Sequence, residues 1–310
     1  MASDSFHWSD DPDRPVSETA AKHEALSAPV VRLWRVLEYS GAYLAAIAVA
    51  EVLLVMHILS LPLSPAPLLG ALITFAVYAN DRRVDVDSDV ISNPNRTAFV
   101  ERHADTLYVI AAIAYGLGTA LAALGGPLVF GLALLPGGVW LVYAVGWTPM
   151  RIVPVARLKE IIVINSLLVS GAWSISVILV PIAYANAPLS PTVGVMFIYF
   201  VLATFVNTEL ANLHDVGSDI ADGVSTLPTV LGVQTAKRVL TSLVLVLGAL
   251  VAGAGVAGVV TWPMALALGL CPVGLFCIVA LLGRVETALL AIASEFSRVP
   301  VLFALVLLGI

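Results

Sequence analysis

Apolar runs long enough to cross a lipid bilayer recur along nearly the whole chain, and no other feature restricts its fold as much. They fall near residues 36–61, 67–80, 106–124, 129–147, 161–185, 192–213, 239–260 and 263–283. A ninth run, 299–310, is too short to cross alone unless residues after Val285 extend it. Of 310 residues, 60% are apolar and only 12% charged, with a mean hydropathy of +0.99. A soluble domain of this length would not carry that balance. The expected fold class is therefore an all-α polytopic membrane protein, a bundle of nine transmembrane helices.

The basic residues predict its orientation. Arg14, Lys22, Arg32 and Arg35 precede the first run, and Arg82, Arg83, Arg96 and Arg102 lie between the second and third. Arg151, Arg157 and Lys159 lie between the fourth and fifth, Lys237 and Arg238 at the start of the seventh, and Arg284 and Arg298 between the eighth and ninth. The remaining connections are short and carry none. The positive-inside rule then puts the N-terminus and all the long connections in the cytoplasm, with the chain a multi-pass protein of the cell membrane. Residues 1–30 differ in kind: Asp4, Asp10, Asp11, Asp13, Glu18 and Glu24 stand among few large apolar groups. This stretch reads as a disordered acidic cytoplasmic tail with no signal peptide, and 31–310 as the transmembrane domain.

Two acidic clusters stand on that same side. The first, NDRRVDVDSDVISNPNR, begins at Asn80 where an apolar run stops. If the helix continues through it, Asp81, Asp85 and Asp89 recur every four residues on one face with Asn80 beside them. Carboxylates stacked so closely repel unless cations sit between them, and hard oxygen ligands suit Mg²⁺. A solvated acidic loop is the alternative for this run taken alone. The second cluster, from Asn207 to Gly232, places Asn212, Asp215 and Asp219 at i, i+3 and i+7 on a helix, with Glu209 on the same stripe. Gly223 offers a stop before Thr226, Leu227 and Pro228 begin something new. Two such clusters at one surface can face each other around shared metal ions. Arg96 and Lys159 are cations suited to phosphate oxygens, whereas Arg82, Arg83, Arg102 and Arg151 read as orienting charges only.

Other polar residues have ordinary readings beside functional ones. Glu51, deep in the first run, is either functional or hydrogen-bonded to a neighbouring helix. His214 reads as structural. Cys271 and Cys277 read as small buried packing groups, not a disulfide or a metal pair. Trp140, Trp147, Trp173 and Trp262 are interface anchors or cavity wall. No Gly-rich phosphate loop, zinc spacing or nucleic-acid patch is present, so no nucleic-acid partner is expected.

The pair NDRRVDVDSD…NPNR and NLHDVGSD…GVSTLPTVLG resembles the two aspartate-rich motifs of the UbiA superfamily of intramembrane prenyltransferases, NDxxDxxxD and DxxxD. RLKEIIVIN, residues 157–165, is similar to the superfamily's lysine-containing segment. The resemblance implies nine helices around a lipid-open cavity, where an isoprenyl pyrophosphate binds through Mg²⁺, loses its pyrophosphate and yields an allylic cation that an acceptor captures. It implies Asp81, Asp85, Asp89, Asp215 and Asp219 as metal ligands, with Arg96, Lys159 and Asn165 holding the pyrophosphate and Asn80 and Asn212 beside them. Asp85 follows Asp81 at an offset of four where the common pattern has three, which favours Asp85 and Asp89 as ligands. Asn212 stands where many members carry a further aspartate. Three readings of function follow. The leading one is a Mg²⁺-dependent prenyltransferase using a lipophilic acceptor such as a quinone precursor, a glycerol-phosphate lipid or a polyene. The others are a membrane terpene cyclase with the same ionisation and no acceptor, and a non-enzymatic lipid carrier or cation transporter.

Overall fold

A computed structural model describes residues 18–144, 164–221 and 223–309, and within them the chain forms helices and no named strand. The first helix, α1 (Glu18–Ser40), meets α2 (Ala42–Ile58) at an 80° corner. Gly41 turns that corner at φ 80°, the left-handed region that glycine alone enters without strain. A Cβ there would also lie 3.3 Å from Tyr78 Cβ, so any larger residue would push α3 (Ala66–Val84) back by a few tenths of an ångström. The corner also leaves the last carbonyls of α1 in need of donors. Arg82 of α3, buried, reaches across to donate to the Glu38 carbonyl. Read from sequence as an orienting charge, Arg82 is instead a clasp between α1 and α3.

Two short helices follow, α4 (Val86–Ser92) and α5 (Pro94–Arg102), before α6 (Ala104–Leu124) and α7 (Pro127–Ala144) return across the bundle. The second half contains α8 (Ile164–Ala185), α9 (Pro191–His214), α10 (Val216–Ala221), α11 (Leu227–Leu231) and α12 (Val233–Val256). It closes with α13 (Trp262–Leu268), α14 (Leu270–Leu281), α15 (Thr287–Glu295) and, after a 3₁₀ turn at Phe296–Arg298, α16 (Val299–Leu308).

Among the described residues, six helical stretches are long and apolar enough to cross a membrane, seven if the bent α1–α2 pair is one span. The expected nine are therefore not all present on that measure. The final turns of α3 carry Asn80, Asp81, Arg82 and Arg83, which lower its apolarity, and α7 is described only to Ala144. The last expected run is longer than its own residues suggest: α15, the 3₁₀ turn and α16 make one stretch, Thr287–Leu308, of 22 residues.

The centre of the bundle is α9. Burial covers 61% of its apolar stretch against 28% for α6. Met196, Tyr199, Phe200, Val206 and Leu210 are enclosed, and the Tyr199 hydroxyl donates to the Leu268 carbonyl at 3.2 Å. Outward faces carry large exposed apolar side chains, among them Ile113 and Leu117 on α6, Leu245 on α12 and Phe303 and Leu307 on α16. Patches on that scale belong against hydrocarbon, which also explains why every spanning element is a helix whose backbone bonds are internal. Cys277 is on this outward face while Cys271 is buried, so only one of the two cysteines is the packing group expected. Six residues on a helix amount to one turn and two thirds, which puts them on different faces.

An ion pair crosses the bundle interior. Glu51 of α2 accepts from Arg298 Nε at 2.5 Å and from Trp173 Nε1 of α8 at 2.6 Å, and Arg298 lies over the Phe200 ring at 5.3 Å. Both charged side chains are 1% exposed. Arg298, counted from sequence among the loop cations, is thus a core residue, placed there because α15 and α16 extend the last span past it. Removing one member of such a pair strands the other. Arg298→Ala should cost about 3–5 kcal/mol, seen as a lower Tm in detergent, and Glu51→Leu combined with Arg298→Met should recover most of the loss. An Arg298→Ala protein that melts at the wild-type temperature would contradict this assignment.

Candidate active site

Both acidic clusters are built on the same local device. At the first, α3 stops at Val84, Asp85 sits at the junction with φ −94° and ψ 13°, and α4 begins at Val86. The backbone ladder nevertheless runs on. The Asp85 N–H donates to the Asp81 carbonyl at 3.0 Å, Asp89 to Asp85 at 2.8 Å and Asn93 to Asp89 at 2.7 Å. The four-residue recurrence is kept while the helix bends, instead of the uninterrupted helix the spacing suggests. At the second, α9 stops at His214, Asp215 has φ −92° and ψ 10°, and α10 begins at Val216. The Asp215 N–H donates to Ala211 at 3.1 Å and Asp219 to Asp215 at 2.9 Å. Each cluster therefore has an aspartate at its bend and another one turn later.

The two bends face each other. Ser92 and Ser218 share a hydroxyl hydrogen bond at 2.7 Å, and Asn93 Nδ2 donates to Asp215 Oδ1 at 3.4 Å. His214 Nε2 lies 3.4 Å from Asn93 Oδ1 and 3.9 Å from Asp215 Oδ1. His214 thus meets the first motif through Asn93. Sequence reasoning missed Ser92, Asn93 and Ser218; the signal available for Asn93 was Pro94, which opens α5 and makes its predecessor a corner. Arg96, one turn into α5, pairs with Asp89 at 2.9 Å, and its Nε is buried with no partner. Burial raises the Asp215 carboxyl above the ordinary carboxylate range; His214 and Arg96 oppose that shift and Asp89 adds to it.

The Asp219 carboxylate accepts from the Thr226 hydroxyl at 3.2 Å, and the Val224 N–H donates to the Asp219 carbonyl at 2.8 Å. Gly223 turns the chain at φ 69°, and α11 follows as the expected new element. Glu209 does not point with the aspartates. It is buried, accepts from Ser166 of α8 at 2.5 Å and from the Leu227 N–H at 3.3 Å, and so ties α8, α9 and α11 together. Asn80 Nδ2 donates back to the Ala76 carbonyl of its own helix at 2.8 Å, so that amide is not directed at the carboxylates.

Asp81 and Asn212 do something further. Both line an apolar cavity of about 270 Å³ between α2, α3, α7, α8, α9 and α15, with Val77, Tyr78, Trp140, Trp173 and Val177 in its wall. Trp140 Nε1 donates to Asp81 Oδ1 at 3.0 Å, and Asn212 Nδ2 to Ser166 Oγ at 3.4 Å. Of the four tryptophans read as anchors or wall, Trp140 and Trp173 are wall and Trp262 is exposed. Lys159, Arg151, Arg157 and Trp147 fall outside the described residues, and Asn165, in the first turn of α8, has its side chain outside them. Among the described residues no three His, Cys, Asp or Glu side chains converge as a metal site.

Residues 35–305 match the model of the UbiA prenyltransferase family. No curated protein sequence matches the chain. Among solved structures it is similar to the apo UbiA homologue of Aeropyrum pernix K1, with 15% identity, 88% of this chain and 99% of that one covered, and a TM-score of 0.64. It is also similar to a UbiA homologue of Archaeoglobus fulgidus bound to DMAPP and Mg²⁺, with 15% identity, coverage of 85% and 98%, and a TM-score of 0.56. A third is a digeranylgeranylglyceryl phosphate synthase, with 14% identity, coverage of 89% and 97%, and a TM-score of 0.58.

The Glu209 tie generates a prediction. Glu209→Ala would leave the Leu227 N–H and Ser166 hydroxyl without their acceptor and should cost about 1–3 kcal/mol. Hydrogen exchange at the Leu227 amide should accelerate ahead of amides in α9, and unchanged protection there would disprove the tie.

Proposed function

Because the chain belongs to the UbiA prenyltransferase family, we propose that it is a Mg²⁺-dependent intramembrane prenyltransferase, moving an isoprenyl chain from its pyrophosphate to a lipid-soluble acceptor. The observation that carries this reading is the sharing of one apolar cavity by Asp81 from the first acidic motif and Asn212 from the second. A pyrophosphate held between the motifs would lie at the edge of a space that accepts its hydrocarbon tail. The DMAPP, GPP and Mg²⁺ bound by the Archaeoglobus fulgidus homologues support the substrate class.

The donor set suits Mg²⁺. That ion takes one or two carboxylates and completes its shell with water and substrate phosphate oxygens, so a cluster of three protein ligands is not required. In this reading Asp85 and Asp89 from one motif and Asp215 and Asp219 from the other hold Mg²⁺ ions between them, one or two carboxylates to each ion, with Asp81 at the cavity side. Mg²⁺ bound there would neutralise charge developing on the leaving pyrophosphate. Arg96 is held by Asp89 on one side and offers its unpartnered Nε to a phosphate oxygen on the other. Lys159 and Asn165 are assigned to the same anion, and Asn80 and Asn212 flank it. The apolar wall excludes water from the allylic cation until the acceptor attacks. The distribution of basic residues supports placing this end of the bundle on the cytoplasmic side of the cell membrane, even with Arg82 and Arg298 removed from the count.

The test is pyrophosphate release from geranylgeranyl pyrophosphate by the purified protein in Mg²⁺ and in EDTA, with the lipid products analysed in the same reaction. Release should require the metal, and Asp85→Ala and Asp219→Ala should each lower it by roughly 10²-fold or more. Release that persists in EDTA, or full activity in either variant, would overturn the proposal.

A further inference from the structure

One carboxylate in the cavity wall belongs to neither acidic motif. Glu295, the last residue of α15, lines the cavity with Tyr78, Trp173 and Thr208, and it keeps accessible surface although the bundle encloses it. Its depth is fixed by α9. The Asn207 amide adjoins Glu295 and stands five residues before Asn212, about 8 Å along the axis at the helical rise. Glu295 also acts electrostatically on Tyr78, one turn before Asp81 on α3. It therefore borders the cavity one to two turns inward of the edge formed by Asp81 and Asn212. The charge around it is unbalanced. Glu51, Arg298 and Glu295 set two carboxylates against one guanidinium, whose Nε is engaged by Glu51 at 2.5 Å. Of these three, Glu295 is the one that borders the cavity. With all three ionised, the surplus negative charge faces an apolar space, where an uncompensated charge is costly. The occupant that relieves this cost is a hydrocarbon chain bearing positive charge.

We propose that Glu295 stabilises the allylic cation of the transfer reaction by its charge. When the bond between the first carbon of the isoprenyl chain and its pyrophosphate oxygen breaks, both electrons leave with the pyrophosphate. Positive charge then spreads over the allylic carbons. With the pyrophosphate held at the acidic motifs, those carbons occupy the stretch of cavity just inward of Asp81, which Glu295 borders. A fixed charge beside a developing one, in a space closed to water, lowers the barrier without itself being changed. The acidic motifs thus act on the leaving group, and Glu295 on the carbon it leaves. The inference rests on the prenyl-transfer reading for its role, while the charge presented to the cavity can be measured independently.

Brominated alkyl chains quench tryptophan fluorescence on contact, and Trp140 and Trp173 stand in the cavity wall. The probes are (11-bromoundecyl)trimethylammonium, a permanent cation, and the neutral 11-bromo-1-undecanol. Each is titrated into wild type and Glu295→Gln in one non-ionic detergent, with Mg²⁺ and inorganic pyrophosphate present to occupy the acidic motifs. Wild type should bind the ammonium probe about tenfold or more tightly than the variant does, with the alcohol bound alike by both. Equal ammonium affinity in the two proteins overturns the inference. If Glu295→Gln loses the alcohol as well, and so has lost its cavity, Glu295→Met decides by the same comparison; loss of the alcohol in both would assign the carboxylate to folding and overturn the inference. In turnover of geranylgeranyl pyrophosphate, Glu295→Gln should lower kcat by about 10²-fold with KM unchanged. Wild-type pyrophosphate release separates the two claims: release without the ammonium difference overturns the role of Glu295 alone, and the difference without release supports its charge while overturning the transfer reading.

Discussion

Like charge gathered at one end of an apolar bundle is the constraint on which the structure turns. Asp85 and Asp89 stand on one bent helix and Asp215 and Asp219 on another, the two bends face each other, Asp89 lies close enough to Asp215 to act on it, and Arg96 pairs with Asp89. Carboxylates at such spacing raise one another's affinity for protons or for cations. The protein meets this in part with hydrogen-bond donors, Asn93 on Asp215 and Thr226 on Asp219. In the proposed reading the remainder is met by Mg²⁺ and its pyrophosphate, so that the site is complete only when loaded.

The bends explain how motif and cavity become one device. A straight α3 or α9 would carry its later aspartates on along the helix axis. Breaking each helix at an aspartate leaves the earlier residues of the stripe, Asp81 and Asn212, in the cavity wall, while α4 and α10 meet each other through Ser92 and Ser218. The serine contact between Ser92 and Ser218 fixes their separation. Glu209 performs the supporting task beneath, anchoring the start of α11, whose cap Thr226 holds Asp219. A chain of hydrogen bonds thereby links the core of α9 to the acidic surface.

What was legible in the sequence follows from periodicity and charge. The apolar runs announce membrane helices, and the four-residue spacing of the aspartates survives even through the bend because the backbone ladder does. What was not legible depends on long-range pairing. Nothing local distinguishes Arg298 from a loop arginine; only the extension of the last span beyond it, and Glu51 247 residues away, make it a core residue. Arg82 likewise needed the α1–α2 corner, and Cys277 needed the packing that leaves its face outward. Asn93 was within the motif quoted from sequence, yet its role depends on a partner, Asp215, that 122 residues separate from it.

The central claim is that the two acidic motifs act as one metal and pyrophosphate site. It is tested most directly by Mn²⁺ binding followed by electron paramagnetic resonance with inorganic pyrophosphate present, in wild type, Asp89→Asn, Asp219→Asn and the double variant. A single shared site predicts strong non-additivity: either substitution alone should remove nearly all of the pyrophosphate-dependent Mn²⁺ affinity, and the second should add little. Two losses that simply add would mean that the motifs bind separately, and would contradict the account.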